Sequence, residues 1–241
     1  MMTTSFPAAP PRRVSLDGKR LSDTWNEQQP AAKRRRNELD QILQACGADA
    51  STGAMALRQL YSHFLYNDGL ILPEEVLEKG GHAVIVRAMH CHVQSVDFQI
   101  ISMSVLFRLA EDASLEALWE AGCMEATKAA LWQHADNATL CTVALRLLDK
   151  LMDKNGQVQG LYPLLNACLH CLQRHPEEKA LLLNGCRLLG KLCGCCHQRT
   201  VIEQSGATQV LRGILQKQCD AKEEHYQVAH SLLLAIQTMS W

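Results

Sequence analysis

A glycine followed nine positions later by Leu or Met recurs four times in this 241-residue chain: Gly80 with Met89, Gly122 with Leu131, Gly160 with Leu169, and Gly206 with Leu215. The glycines stand 42, 38 and 46 residues apart. An internal period of that size constrains the fold before any local propensity is weighed. A second mark follows each glycine by 26 to 29 residues, a pair of apolar residues three apart: Leu106 with Leu109, Leu148 with Leu151, Leu189 with Leu192, and Leu233 with Ile236.

Each repeat therefore reads as a turn at the glycine, a helix of about three turns, a polar loop, and a longer helix carrying the Leu pair. Loop punctuation falls at Ser95 and Asp97, at Asp136 and Asn137, at Pro176 and at Asp220. Leu and Ala recur while aromatic residues make up only 5% of the chain, a balance that favours helix over strand. The fold expected is all-α. One such hairpin cannot bury its apolar face alone, so neighbours must stack.

The spacing sets domain bounds. Residues 1–36 hold Pro7, Pro10, Pro11 and Pro30 among Ser, Thr, Gln and charge with no apolar period, and are expected to be a disordered tail. Residues 37–241 form the helical repeat domain, with an amino-terminal cap or half-repeat over 37–72 and repeats at about 73–111, 112–154, 155–196 and 197–241. In the cap, Leu39, Ile42, Leu43, Leu57, Leu60 and Phe64 are expected to face inward.

A glycine opening the second helix and Leu-x-x-Leu in the third resemble the armadillo repeat, over roughly Leu39 to Trp241. The resemblance implies a right-handed α-α superhelix, an armadillo-like solenoid. It also implies a short first helix before each glycine, matching Glu74 to Lys79, Asp112 to Glu120 and Gln198 to Gln204 here. Third helices of that family line a concave groove that binds other proteins, so the chain is expected to be an interaction scaffold or adaptor, not an enzyme.

Side chains two positions before and after the first Leu of each pair lie about 160° from the core and face that groove. They are basic: Arg108 in the first repeat, Arg146 and Lys150 in the second, Arg187 and Lys191 in the third. The ladder ends at Ser231 and Ala235 in the fourth. Cations in this array suit a partner segment that is acidic or phosphorylated, which arginine grips with two hydrogen bonds at once. The opposing reading is an ordinary solvated face, since Asp149 beside Lys150 dilutes the field. Transport receptors of the armadillo class carry Trp and Asn four apart on third helices; that array is absent, as Trp119 and Trp132 fall elsewhere.

A formal net charge of −1 gives no overall attraction for nucleic acid or an anionic membrane. No stretch approaches the roughly 20 apolar residues of a membrane span, and no export signal is read at the start. Residence in nucleus and cytoplasm is expected. Lys19 and Arg20 stand twelve residues before Lys33, Arg34, Arg35 and Arg36, which resembles a bipartite nuclear-import signal read by an importin. Arg12-Arg13-Val14-Ser15 resembles a basophilic kinase site, and phosphate on Ser15 would add about −1.5 to −2 charges beside that signal.

The 11 cysteines read mainly as reduced thiols in apolar helices. Cys168, Cys171, Cys193 and Cys196 nominally form two zinc-like Cys-x-x-Cys pairs, but the pairs belong at opposite ends of an antiparallel hairpin, separated by about 22 Å of helix. Cys193, Cys195, Cys196 and His197 leave a thiol- or metal-sensing regulator as one alternative. A nucleotide-exchange co-chaperone of heat-shock ATPases is another, since some are four-repeat armadillo proteins. No phosphate-cradling loop, His-Glu-x-x-His helix or nucleophile elbow is present, and no cofactor is expected. His82, His90, His92, His170 and His175 fall near helix ends and loops, as surface or capping residues do. The last helix, with Leu232, Leu233, Leu234, Ile236, Met239 and Trp241, is apolar around much of its circumference, which suits self-association.

Overall fold

The computed structural model describes residues 36–66, 71–112, 115–153, 161–194 and 205–217, together with 227, 229, 230, 233 and 234. The chain divides into two compact units, 1–38 and 39–241. Of the first, only 36–38 are described, and they are helical. The second is all-helical, with no strand among the described residues.

Its helices are α1 (ending at 46), α2 (Ala50–Tyr66), α3 (Pro73–Glu78), α4 (Gly81–Cys91), α5 (Val96–Asp112), α6 (Leu115–Glu120), α7 (Cys123–Gln133), α8 (Ala138–Leu151), α9 (Leu161–Arg174), α10 (Lys179–Gly194) and α11 (Ala207–Lys217). Two short first helices thus stand where the repeat pattern placed them, α3 and α6. The second begins at Leu115 because α5 runs on through Asp112.

The period is physical. Gly80, Gly122 and Gly206 have φ of 67°, 79° and 76°, the left-handed region that side chains with a Cβ avoid. Each occupies the position just before a second helix: the carbonyl of Gly80 accepts from Val84, that of Gly122 from Ala126, and that of Gly206 from Val210. Gly80 and Gly122 also donate back to Leu77 and Trp119, closing the preceding short helix. Gly160 lies outside the described residues.

Loop residues anticipated as punctuation act as caps. The Asn137 side chain accepts from the Leu140 amide at 2.9 Å to start α8, and Ser95 Oγ accepts from the Phe98 amide at 3.3 Å to start α5. Asp49 starts α2 by accepting from the amides of Ser51 and Thr52, both at 3.0 Å. The Thr52 hydroxyl and amide hold its carboxyl below the usual carboxylate range.

Packing is serial. The long helices lie α2 on α5, α5 on α8, α8 on α10, and the second helices lie α4 on α7, α7 on α9, α9 on α11. Leu106, Leu109, Leu148, Leu151, Leu189 and Leu192 are fully buried between them, as are Leu57 and Leu60 of α2. The cap therefore supplies its own Leu-x-x-Leu helix. Gly53 and Gly185 let helices close up: an added Cβ would stand 2.7 Å from Phe98 Cε2 and 2.7 Å from Leu172 Cδ2 respectively. Of the last helix, Leu233 is buried and Leu234 exposed; Leu232, Ile236, Met239 and Trp241 lie outside the described residues.

Candidate interaction face

Three contacts between successive long helices join their outward stripes into one face. Arg58 of α2 lies 3.6 Å from Asp97 of α5. The Arg146 guanidinium of α8 sits 3.9 Å above the centre of the Phe107 ring of α5. Lys191 Nζ of α10 reaches Asp149 Oδ1 at 2.7 Å and donates to Asp153 Oδ1 at 2.5 Å and to the Asp149 carbonyl at 2.7 Å. Arg187 and Lys191 are four apart on α10, as Arg146 and Lys150 are on α8, so each pair shares its helix's outer stripe. All five basic residues read from the sequence thus fall on the outward stripes of α5, α8 and α10.

These cations are not waiting bare for a ligand. Arg108 pairs with Glu111 at 2.5 Å and Lys150 with Asp153 at 3.4 Å. Burial opposes ionisation of Asp153, but hydrogen bonds and charge from Lys191 and Lys150 outweigh it and hold the carboxyl below its ordinary range. Desolvation likewise opposes charge on Lys191, yet Asp149 and Asp153 hold its ammonium above its ordinary range. Arg108, Lys150 and Lys191 are thus each set against a carboxylate, Glu111, Asp153 or Asp149. Arg146 and Arg187 are the exposed members. Among the described residues Arg146 has an aromatic ring and no carboxylate beside it. That contact contributes roughly 0.5–1 kcal/mol at an exposed site, and it holds the guanidinium in place without neutralising it.

The face changes character along its length. Met55 and Tyr66, on the outward stripe of α2, are exposed, as is the adjacent Leu65. Arg108 reaches the wall of a cavity of about 420 Å³ that His63, Phe64, Leu72 and Glu74 also line. The amino-terminal end therefore adds exposed apolar side chains to the Arg58–Asp97 pair, while the carboxy-terminal end is basic.

A second set of contacts, not read from the sequence, ties repeats together along the edge formed by the turns before the long helices. His134 Nε2 lies 2.6 Å from the Val93 carbonyl, and His175 Nε2 lies 2.7 Å from the Ala135 carbonyl. Beside them Gln133 donates to Gln94 Oε1 at 3.3 Å, and Arg174 pairs with Asp136. Neighbouring residues in one repeat grip neighbouring residues in the preceding repeat, twice in the same register. Histidines standing 12, 12 and 15 positions after Gly80, Gly122 and Gly160 (His92, His134, His175) carried that signal. On the other edge, Trp119 Nε1 donates to the Leu151 carbonyl at 3.0 Å.

Among the described residues no cluster of three or more His, Cys, Asp or Glu is placed to hold a metal, and no helix is long and apolar enough to cross a membrane. Cys168 and Cys171 are buried in α9. The Cys193 side chain, Cys195, Cys196, His197, Gln198 to Gln204, Ser231 and Ala235 lie outside the described residues, as do Ser15, Lys19, Arg20, Lys33, Arg34 and Arg35. Arg36 is helical and exposed. No family model, curated protein or solved structure matches this chain.

Proposed function

We propose that the chain is an armadillo-like solenoid that serves as a protein-protein interaction scaffold, holding an acidic or phosphorylated partner segment on the joined stripes of α2, α5, α8 and α10. The solenoid reading is supported by the succession of packing contacts, which link each repeat to the next, and by the shared left-handed glycine at three repeat starts. The observation that carries the binding reading is the exposed pair Arg146 and Arg187 on one continuous face, with Arg146 propped on Phe107.

A partner carboxylate must compete with Asp149, Asp153 and Glu111 for the lysines and Arg108. The exchange is close to neutral at those positions, because exposed pairs are worth only about 0.2–1 kcal/mol. Net affinity therefore rests most on Arg146, which has a ring and no carboxylate beside it among the described residues, and the test reverses it together with the exposed Arg187. The test uses a fluorescein-labelled decapeptide of glutamate, with a lysine decapeptide as control, read by fluorescence anisotropy. Arg146→Glu with Arg187→Glu is expected to weaken the acidic peptide at least tenfold, about 1.4 kcal/mol. Asp153→Asn, which releases Lys150 and leaves Lys191 with Asp149, is expected to tighten it about threefold. Equal binding by all three proteins, or equal binding of both peptides, refutes the reading.

The basic clusters Lys19-Arg20 and Lys33 to Arg36 make the first unit an address for an importin, which places the protein in nucleus and cytoplasm. Alanines at Lys33, Arg34, Arg35 and Arg36 are expected to shift a fluorescently tagged chain out of the nucleus. An unchanged nuclear fraction by imaging rejects the address.

A further inference from the structure

Seven cysteines are described, and six of them are buried. Most behave as small apolar side chains: burial pushes the Cys46 thiol up to about 11 and those of Cys123 and Cys186 up to about 12, where they are inert at neutral pH. One contact differs. Cys171 of α9 donates to the sulfur of Cys141 of α8 across 3.6 Å, the one sulfur-to-sulfur contact among the described residues. The two lie 30 positions apart in successive repeats.

We propose that Cys141 and Cys171 form a reversible disulfide that staples the second repeat to the third when the protein meets a peroxide. The sulfurs already touch, and a bond of about 2.05 Å asks the two side chains to close about 1.5 Å between them. The place is the turn-edge joint. Cys141 Sγ lies 3.5 Å from the Ala135 carbonyl, the same carbonyl that His175 reaches, and Arg174 holds Asp136 one residue further on. Two non-covalent ties therefore already hold the end of α9 against the turn before α8 beside this contact.

The contact assigns roles to the two sulfurs. The Cys171 S–H, pointing at Cys141, draws the Cys141 thiol toward its thiolate; burial and Asp136 oppose this, while Arg174 assists. The same contact, with burial, pushes the Cys171 thiol up. Cys141 is thus the sulfur that attacks peroxide: its thiolate takes one oxygen, the O–O bond breaks, and hydroxide leaves. Cys171 then attacks the sulfenic sulfur of Cys141. The S–S bond forms, the S–O bond breaks, and the Cys171 proton departs with that oxygen as water. Two thiols and one hydrogen peroxide give one disulfide and two waters; a dithiol reductant reverses the change. Cys168, three positions before Cys171 on the same helix, instead donates to the Gly185 carbonyl of α10 at 3.5 Å.

The staple would bear on the binding face without touching it. Cys141 starts the same helix that carries Arg146 and Lys150, and α9 packs on the α10 that carries Arg187 and Lys191. Fixing α8 to α9 fixes the angle between those stripes. The inference itself stands on the sulfur contact and is independent of what the face binds.

The full chain would be treated with hydrogen peroxide in slight excess over protein, unfolded in iodoacetamide, digested without reductant and mapped by mass spectrometry. A peptide linking Cys141 to Cys171 is expected, 2 Da lighter than the two free peptides together and abolished by dithiothreitol. The oxidised chain is expected to melt about 5 °C or more above the reduced one. Cys141→Ser and Cys171→Ser should lose both the link and the shift, and Cys168→Ser should keep both. Recovery of Cys141 and Cys171 as alkylated thiols while other cysteines oxidise would overturn the proposal. So would Cys141 trapped at sulfinic acid without a link, or a link that forms equally well in urea-unfolded chain. The map is made on the unmodified sequence, so a variant that misfolds does not spoil the test.

Discussion

Leu148→Ala is expected to lower the free energy of unfolding by about 2–5 kcal/mol, read as a fall in the urea midpoint at nearly constant slope. Leu148 is fully buried in α8, the helix that packs on α5 before it, on α10 after it and on α7 within its own repeat. Removing three carbons and their hydrogens forfeits the transfer free energy of the side chain. A cavity also remains, because neighbours on three sides are themselves held by further helices and cannot collapse into it. Lys150→Ala, two positions on, serves as the control. It breaks one partly exposed pair with Asp153 and is expected to cost less than about 1 kcal/mol. A loss at Leu148 no greater than at Lys150 would contradict the packing of α8 between its neighbours.

Substitution of Gly122 isolates the backbone. Its φ is 79°, and a Cβ built there meets nothing within 4 Å, so any loss comes from conformation and not from a clash. Gly122→Ala is expected to cost about 1–2 kcal/mol, the penalty of the left-handed region for a residue with a Cβ. Gly122→Asn should cost less, because its side chain tolerates that region, and Gly122→Val more, because it is β-branched. The same order is expected at Gly80, whose φ is 67° and whose surroundings are equally open. Calorimetric melting of the six variants provides the check. An order set by side-chain volume alone would mean that the turn is not left-handed.

Those glycines were legible in the sequence because the need they answer is local: a chain that reverses into a helix through the left-handed region demands Gly whatever surrounds it. The Leu pairs were legible for a similar reason, since a spacing of three on a long helix writes the buried stripe directly. Charge on the face was only half legible. Arg108, Arg146, Lys150, Arg187 and Lys191 can be read from their register, whereas the carboxylates opposite Lys191 stand 38 and 42 residues earlier, and only the offset between α8 and α10 decides that they meet. Phe107 was missed as the seat of Arg146 because the register rule asks which side chains point outward, not which neighbour lies beneath. The thiols show the same limit. Spacing drew attention to the Cys-x-x-Cys pairs, while the sulfur that Cys171 meets belongs to Cys141 on a different helix.

The ties along the turn edge have a kinetic meaning. His134 reaches back 41 residues, His175 reaches back 40, and the bonds beside them span 39 and 38. Each joint therefore closes a loop of nearly the same length, and the entropy lost in closing it does not grow as the chain lengthens. Ordering can then spread from one hairpin to the next at a steady cost, so the search for the native arrangement scales with the size of a repeat and not with that of the whole polypeptide.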